Sequence, residues 1–144
     1  MIRLAADNPA LDLRKILQDA RMIAVVGASE GPWRPSFRVA AYLKRAGYRV
    51  LPVNPTIAGR TLHGEPVRPA LTDLAEPVDS VNVFRRPACV PEVVEAAIAI
   101  GAPVIWMQLG ARHDGAKSRA EAAGLSVAAD RCISVEHRRL FPHA

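Results

Sequence analysis

The apolar and polar positions of the chain form two kinds of segment. Short runs such as MIAVVG, at positions 22–27, are apolar without interruption. Longer segments such as PSFRVAAYLKRAG, at 35–47, place apolar residues three or four positions apart. An uninterrupted run is typical of a strand buried on both faces of a parallel sheet, and the wider spacing is typical of an amphipathic helix. The pattern therefore predicts strands and helices in alternation.

The pattern predicts five strands and four main helices. The strands are expected at 22–27, 48–55, 78–85, 103–110 and 125–130, and the helices at 9–18, 36–46, 91–101 and 113–123, with a short helical segment at 69–74. Asp7 or Asn8 is expected to cap the first helix before Pro9, and Ser36 the second. Strands and helices in this order require parallel pairing with right-handed crossovers.

This alternation predicts an α/β fold with a doubly wound, Rossmann-like parallel sheet of five strands in the order 3-2-1-4-5. At 144 residues, half of them hydrophobic, the chain is long enough for one core and too short for two. A single domain over 1–144 is expected, with an N-terminal helix within 1–20 packed on the sheet. Ligands of such sheets bind beyond the carboxyl ends of the strands where the order reverses, here expected between strands 1 and 4.

The chain is basic, with 19 lysines and arginines against 14 acidic residues, and only three of the basic residues are lysines. Guanidinium groups suit phosphate recognition, so an anionic ligand is one explanation and an ordinary solvated surface is the other. The basic residues are scattered, without a run or interleaved aromatic residues, so no nucleic-acid partner is expected. Seven arginines are expected near the ligand edge of the sheet: Arg34, Arg38, Arg60, Arg85, Arg86, Arg112 and Arg131.

The chain shows no targeting or metal-binding signal. No segment approaches the roughly twenty uninterrupted apolar residues of a membrane span, and the first residues lack the apolar region of a secretory signal. Cys89 and Cys132 have no metal-ligand spacing and are too few for a disulfide framework. A cytoplasmic protein without membrane partners is therefore expected.

The stretch VVGASEGPWRPS, at 25–36, is the strongest candidate for ligand chemistry. Gly27 would let the chain turn off the strand, Ser29 offers a hydroxyl, and the helix near Ser36 presents backbone N–H groups to an anion. Serine and proline replace the second and third glycines of a dinucleotide fingerprint, and the stretch lacks the Gly-Lys-Ser/Thr of a Walker A loop. A phosphate-binding loop and a purely structural turn both remain open.

Two enzymatic alternatives use the same residues. NAD is disfavoured because the second strand ends in Asn54-Pro55 rather than in an acidic residue, whereas the 2'-phosphate of NADP could meet Arg60. The letters from Gly27 to Gly31 also match a hydrolase elbow, with Asp130 and His137 in the order of a triad. This alternative is rejected because the elbow would need earlier strands to complete an oxyanion hole.

Several separated motifs resemble one family when taken together. VVGAS, RPSFRVAAYLKRAGYRVLPVNP, DSVNVFR, GAPVIWMQLG and ADRCISVEH, in this order and spacing, resemble the small stand-alone CoA-binding proteins, relatives of the CoA-binding domain of the succinyl-CoA synthetase alpha subunit. The resemblance covers 22–140. It implies a Rossmann-type domain that binds coenzyme A or an acyl-CoA and has no evident catalytic residues.

The resemblance also implies which residues contact coenzyme A. They are Gly27, Ala28 and Ser29 in the phosphate turn, Arg34, Pro35, Ser36 and Arg38 at the helix start, Val53, Asn54 and Pro55 beside the adenosine, and Phe84, Arg85, Trp106, Gln108 and Gly110 along the cleft. Many relatives carry a lysine where this chain has Thr56, and Arg60 is the candidate to replace it. Trp106 is equally expected in the core.

Three functional classes follow from these observations. The first is a non-catalytic binding or regulatory module for coenzyme A, the second an NADP-linked oxidoreductase or CoA-dependent transferase subunit, and the third a module that changes protein partners in response to coenzyme A. Small Rossmann domains often pair, so a homodimer or an unidentified protein partner is expected. Cys132 could form a mixed disulfide with the pantetheine thiol, although a buried small side chain is the preferred interpretation.

Overall fold

The computed structural model describes residues 11–143, which form a parallel sheet with helices on both faces. The strands are β1 (Met22–Val26), β2 (Arg49–Val53), β3 (Thr61–Leu62), β4 (Glu65–Pro66), β5 (Ser80–Val83), β6 (Val104–Met107) and β7 (Ser126–Ala129). The helices are α1 (Leu13–Asp19), α2 (Pro35–Arg45), α3 (Val90–Ala99), α4 (Asp114–Ala122) and α5 (Ile133–Leu140). β3 and β4 form a small antiparallel hairpin apart from the main sheet. The predicted α/β, Rossmann-like class is confirmed.

The main sheet has the order β2-β1-β5-β6-β7, with all neighbours parallel. Outside β2, Arg68 forms a one-residue parallel bridge with Val53, and its N–H donates to the Pro52 carbonyl at 3.0 Å. If this bridge counts as strand 3, then β5, β6 and β7 are strands 4, 5 and 6. The first five strands then have the expected order 3-2-1-4-5.

The prediction that 78–85 supplies the third strand was wrong, because β5 pairs with β1 rather than with β2. The segment between β2 and β5, interpreted from sequence as a loop, contains both the hairpin and the Arg68 bridge, and it occupies the outer side of β2. The strand order therefore reverses between β1 and β5, which places the end of β5 directly beside the glycine turn.

Two apolar clusters cover the two faces of the sheet. Because successive strand residues face opposite sides, Ile23 and Val25 join one cluster while Ala24 and Val26 join the other. The first cluster includes residues of α1, α2 and α5, and the second includes residues of α3 and α4. Trp106 is fully buried in the first cluster, as expected for a core residue. The sheet is therefore buried on both faces, and its strand ends are the places left for a ligand.

Two helix starts differ from the predictions. The first helix begins at Leu13, where Asp12 accepts a hydrogen bond from the Lys15 N–H at 3.1 Å; the predicted caps Asp7 and Asn8, with Pro9, lie outside the described residues. The second helix begins at Pro35, one residue before the predicted cap. Ser36 is therefore inside the helix, and it is buried. Proline is favoured at the first helical position because an N–H there would have no acceptor within the helix, and proline has no N–H.

The last helix, α5, was not predicted. Its eight residues follow Cys132, which is not a usual capping residue and makes no side-chain capping bond. Its apolar positions are too few for a periodic signal, although Ile133 and His137 are buried. The predicted segment at 69–74 is only a 3-10 turn at Leu71–Asp73. Within residues 11–143, no helix is long and apolar enough to cross a membrane.

Candidate functional site

A cleft of about 880 Å³ opens at the carboxyl ends of the central strands. Its size is that of a typical small-molecule or cofactor site. Most of the residues expected at the ligand site line it: Gly27, Ala28, Ser29, Arg34, Pro35, Ser36, Asn54, Phe84, Arg85, Gln108 and Gly110. The fold therefore brings together residues that are up to 83 positions apart in the chain, from the turn after β1 to the turn after β6.

Five of the expected residues do not line the cleft. Trp106 is fully buried in the core. Val53 is buried in β2, and Pro55 begins a short 3-10 turn. The Arg38 guanidinium donates to the Trp33 carbonyl. Arg60, the candidate to replace the missing lysine, pairs with Glu30 at 3.1 Å. Arg60 can therefore reach a ligand phosphate only by leaving this carboxylate.

The turn after β1 is built around Gly27. Its φ of 89° is a left-handed conformation, and its N–H donates to the Val53 carbonyl at 2.9 Å. The Ala28 N–H reaches the same carbonyl at 3.3 Å. These two N–H groups are thus already used inside the fold and are not available to a phosphate. Among residues 11–143, the N–H groups of Ser29 and Glu30 have no such internal acceptor.

The start of α2 offers further donors on the same side of the cleft. The Ser36 N–H has no internal acceptor in the described part of the chain, and its side chain lines the cleft. The positive end of the helix dipole lies at this point, which favours an anion. Arg34 precedes the helix and makes no ion pair with a carboxylate of the described residues. This end of the cleft is therefore suited to a phosphate group.

The expected rim of seven arginines is only partly formed. Three of them, Arg34, Arg85 and Arg86, line the cleft, whereas Arg112 pairs with Asp114 at 2.7 Å. Arg38 and Arg60 are engaged as described above, and Arg131 faces a separate shallow depression. Three guanidinium groups at one cleft still match the charge of a molecule with several phosphates.

Asn54 connects the turn after β1 to the turn after β2. Its Nδ2 donates to the Ala28 carbonyl at 2.7 Å, and its Oδ1 accepts from the Thr56 N–H at 2.9 Å and hydroxyl at 2.8 Å. These bonds fix the side chain and bring Thr56 and Ile57 to the cleft wall. Asn54 is thus a structural support for this wall.

Two apolar residues of the cleft were not identified from the sequence. Ile57 lies beside Thr56, and Trp33 lies on the rim with 73% of its surface exposed. Trp33 sits in a proline-flanked loop without periodicity, so no pattern indicated which way its ring points. An exposed indole beside a cleft offers a flat apolar surface to a ligand.

Cys132 and Gln108 also line the cleft. Gln108 is only 3% exposed, and its Oε1 accepts the Ile133 N–H at 3.0 Å. The Cys132 Sγ lies 3.2 Å from the Ser134 Oγ. Burial raises the pKa of the Cys132 thiol, but hydrogen bonds from Ser134, Val135 and Gln108 outweigh it, so the pKa lies below its ordinary value.

The geometry gives no support to a hydrolase triad. Ser29 lines the cleft and accepts the Gly31 N–H at 3.0 Å, whereas His137 is buried in α5 with its Nδ1 2.8 Å from the Tyr42 hydroxyl. His137 also packs against Phe141 and is absent from the cleft wall. The described residues contain no group of three or more side chains that could hold a metal ion.

The fold and the cleft define a Rossmann-like α/β protein with a cleft where the strand order reverses. The family model described as a CoA binding domain matches residues 21–138, and the chain belongs to this family. The resemblance noted from the motifs is thereby confirmed.

Similar proteins match this chain over nearly their whole length. YneT of Bacillus subtilis strain 168 is 39% identical over 131 residues, which cover 90% of this chain and 96% of YneT. The structure of cell-free ID.343 from Thermus thermophilus is 45% identical with a TM-score of 0.87, over 90% of this chain and 96% of that one. A hypothetical protein from Pyrococcus horikoshii OT3 is 36% identical with a TM-score of 0.88, over 98% of both chains.

Proposed function

We propose that this protein binds coenzyme A, or a short acyl-CoA, through the nucleotide moiety and serves as a binding or regulatory module rather than as a catalyst. Membership of the CoA binding domain family supports the ligand class. The proposal treats 1–144 as one domain of a cytoplasmic protein. The observation that carries it is the convergence of unused N–H donors, the α2 start and three arginines on one cleft of about 880 Å³.

The phosphates of the ligand are assigned to the α2 end of the cleft. The N–H groups of Ser29, Glu30 and Ser36 are free to donate within the described structure, and Arg34 and Arg86 line the same cleft. Hydrogen bonds between guanidinium groups and phosphate are stronger than neutral ones because both partners are charged. A pyrophosphate and a 3'-phosphate together would use several of these donors.

The adenosine and the pantetheine arm are assigned to different strand ends along the cleft. The adenosine would lie against the wall formed by Asn54, Thr56 and Ile57, after β2. The pantetheine arm would run past Phe84 and Gln108, after β5 and β6. The pantetheine arm is largely uncharged, so it needs few charged contacts.

Isothermal titration of the reduced protein tests this function, with CoA, acetyl-CoA, 3'-dephospho-CoA, NADP, NAD and ATP as separate ligands. We expect CoA and acetyl-CoA to bind alike, because the acyl group lies far from the nucleotide. We expect 3'-dephospho-CoA to bind about tenfold to a hundredfold more weakly, since it lacks one charged contact of ~1.5–3 kcal/mol. Binding of NADP without binding of CoA would overturn the proposal in favour of an oxidoreductase, and no response to CoA would overturn it outright.

A further inference from the structure

A shallow depression of about 360 Å³ adjoins the cleft next to α5. Leu109 and Cys132 line both the depression and the cleft. Val135 and Glu136 of α5, together with the residues at 129–131, form the rest of its wall. The two spaces therefore meet, and a ligand in the cleft can extend past Leu109 into the depression.

The depression has two large apolar side chains at its surface. Leu109 is 66% exposed and Val135 is 53% exposed. Across residues 11–143, the one other large hydrophobic side chain exposed to this degree is Trp33, which lies on the rim of the cleft. Scattered apolar residues are ordinary on a protein surface, whereas apolar residues gathered around connected spaces indicate a binding surface. This grouping indicates a ligand with an apolar part.

The backbone holds Leu109 in its exposed position. The Ala111 N–H donates to the Gln108 carbonyl at 2.9 Å, and Gly110 has a φ of 83°, as in a type II turn with Leu109 at its second position. Gln108 is buried, so the chain passes from the core to the surface within one residue. A tight turn just after β6 thus presents Leu109 where the pantetheine arm is assigned.

We propose that this depression binds the acyl group of an acyl-CoA and favours an uncharged aliphatic chain longer than acetyl. The inference rests on the proposed function, because the depression is reached through the cleft. The pantetheine arm is assigned past Phe84 and Gln108, and the residue after Gln108 is Leu109. An acyl group joined to the sulfur of this arm would therefore pack on Leu109, and a longer one would also cover Val135.

The charges around the depression favour an uncharged acyl chain over one that ends in a carboxylate. One cation, Arg131, and two anions, Asp130 and Glu136, line it. Glu136 also pairs with Arg139 at 2.8 Å, and Asp130 directly precedes Arg131 in the chain. A second carboxylate on the ligand would thus meet Asp130 as well as Arg131, and it would lose hydration on entering. An aliphatic chain has no such cost and gains free energy by covering Leu109 and Val135.

Calorimetry with CoA thioesters of increasing length tests the inference. The ligands are CoA, acetyl-CoA, butyryl-CoA, hexanoyl-CoA and succinyl-CoA. We expect each methylene group beyond acetyl to strengthen binding by about twofold to fourfold until Val135 is covered, which is the value of a partly to fully buried methylene group. Succinyl-CoA has as many acyl carbons as butyryl-CoA and should bind more weakly. Equal affinities across the aliphatic series, or a preference for succinyl-CoA, would overturn the inference.

Variants of Val135 separate this inference from the proposed function, since Val135 lines the depression but not the cleft. Val135→Asn should bind CoA as the original chain does and lose most of the gain from acetyl-CoA to hexanoyl-CoA. Val135→Ile is the matched control and should keep this gain. If Val135→Asn kept the gain as well, the acyl group would lie elsewhere and the inference would be wrong. Failure of the original chain to bind any of the CoA ligands would instead contradict the proposed function.

Discussion

A Cβ atom on Gly27 would lie 2.2 Å from the carbonyl oxygen of Phe84. The glycine turn after β1 and the end of β5 are thus in backbone contact at the point where the strand order reverses. The φ of Gly27 is 89°, a second reason why a side chain is disfavoured there. The close backbone contact at this point of the cleft therefore requires a residue without a Cβ atom at position 27.

Gly27→Ala is expected to lower the free energy of unfolding by about 3 kcal/mol or more, because left-handed strain of ~1–2 kcal/mol adds to a clash with backbone. Urea unfolding measures the loss. Gly124→Ala is the matched control, since Gly124 has a φ of 96° but nothing within 4 Å of the added atom. It should lose only about 1 kcal/mol. Equal losses in the two variants would show that the contact with Phe84 does not matter.

Arg34→Ala and Arg86→Ala are each expected to weaken CoA binding by about tenfold to a hundredfold, the value of one charged hydrogen bond. Calorimetry at fixed salt gives the affinities. Arg119→Ala serves as the control because Arg119 pairs with Glu95 at 2.9 Å and does not line the cleft. If all three variants bound like the original chain, the phosphate assignment to the α2 end would be wrong.

Tryptophan fluorescence should report ligand binding through one residue. The chain has two tryptophans; Trp33 is 73% exposed on the cleft rim, and Trp106 is fully buried with its Nε1 donating to the Arg131 carbonyl at 2.9 Å. Saturation with CoA is expected to shift the emission to shorter wavelength, because the ligand covers the exposed indole. Trp33→Phe should abolish the shift. A shift that persisted in this variant would assign the signal to Trp106 and contradict the contact.

Stability is expected to fall as the pH drops below about 6.5, the ordinary pKa of histidine. Burial lowers the pKa of His137, with a smaller contribution from Arg138, and burial followed by Lys44 lowers that of His63. The unfolded chain therefore binds protons more readily than the folded chain, so the contribution of these groups is complete above this pH and is lost below it.

Urea unfolding between about pH 7.5 and 5 measures the slope of the free energy of unfolding against pH. The carboxyl groups of Glu65 and Glu95, whose pKa values are lowered, stay ionised over this range. His137→Gln should reduce the slope, and substitution of the exposed His143 should leave it unchanged. A slope that His137→Gln did not alter would assign the effect to other groups.

The main strands and helices could be predicted from the sequence because each has an uninterrupted or periodic pattern of apolar residues. MIAVV is an example, since it is buried almost throughout as β1. The glycine turn and the neighbouring strand ends could also be located, because the carboxyl ends of parallel strands lie at one edge of the sheet. This reasoning placed most of the expected residues around the cleft, although their contacts with a ligand stay predictions.

Features that depend on one or two residues could not be predicted from the sequence. The Arg68 bridge is a single residue after a hairpin, so no pattern showed that it would take the place beside β2 and leave β5 to pair with β1. Helix α5 is short and lacks a usual cap. The hydrogen bonds of Gly27 and Ala28 to Val53 depend on tertiary contact, which local sequence does not encode.

The Arg68 bridge also has a consequence for how copies of the protein behave when they meet. An open sheet edge can pair with a strand of another chain and start aggregation. At the outer side of β2, the Pro52 carbonyl is already occupied by the Arg68 N–H, and the Asn54 N–H donates to the Arg68 carbonyl at 2.9 Å. Proline itself has no N–H to offer a foreign strand. This end of β2 is therefore protected against the strand-to-strand association that leads to fibrils.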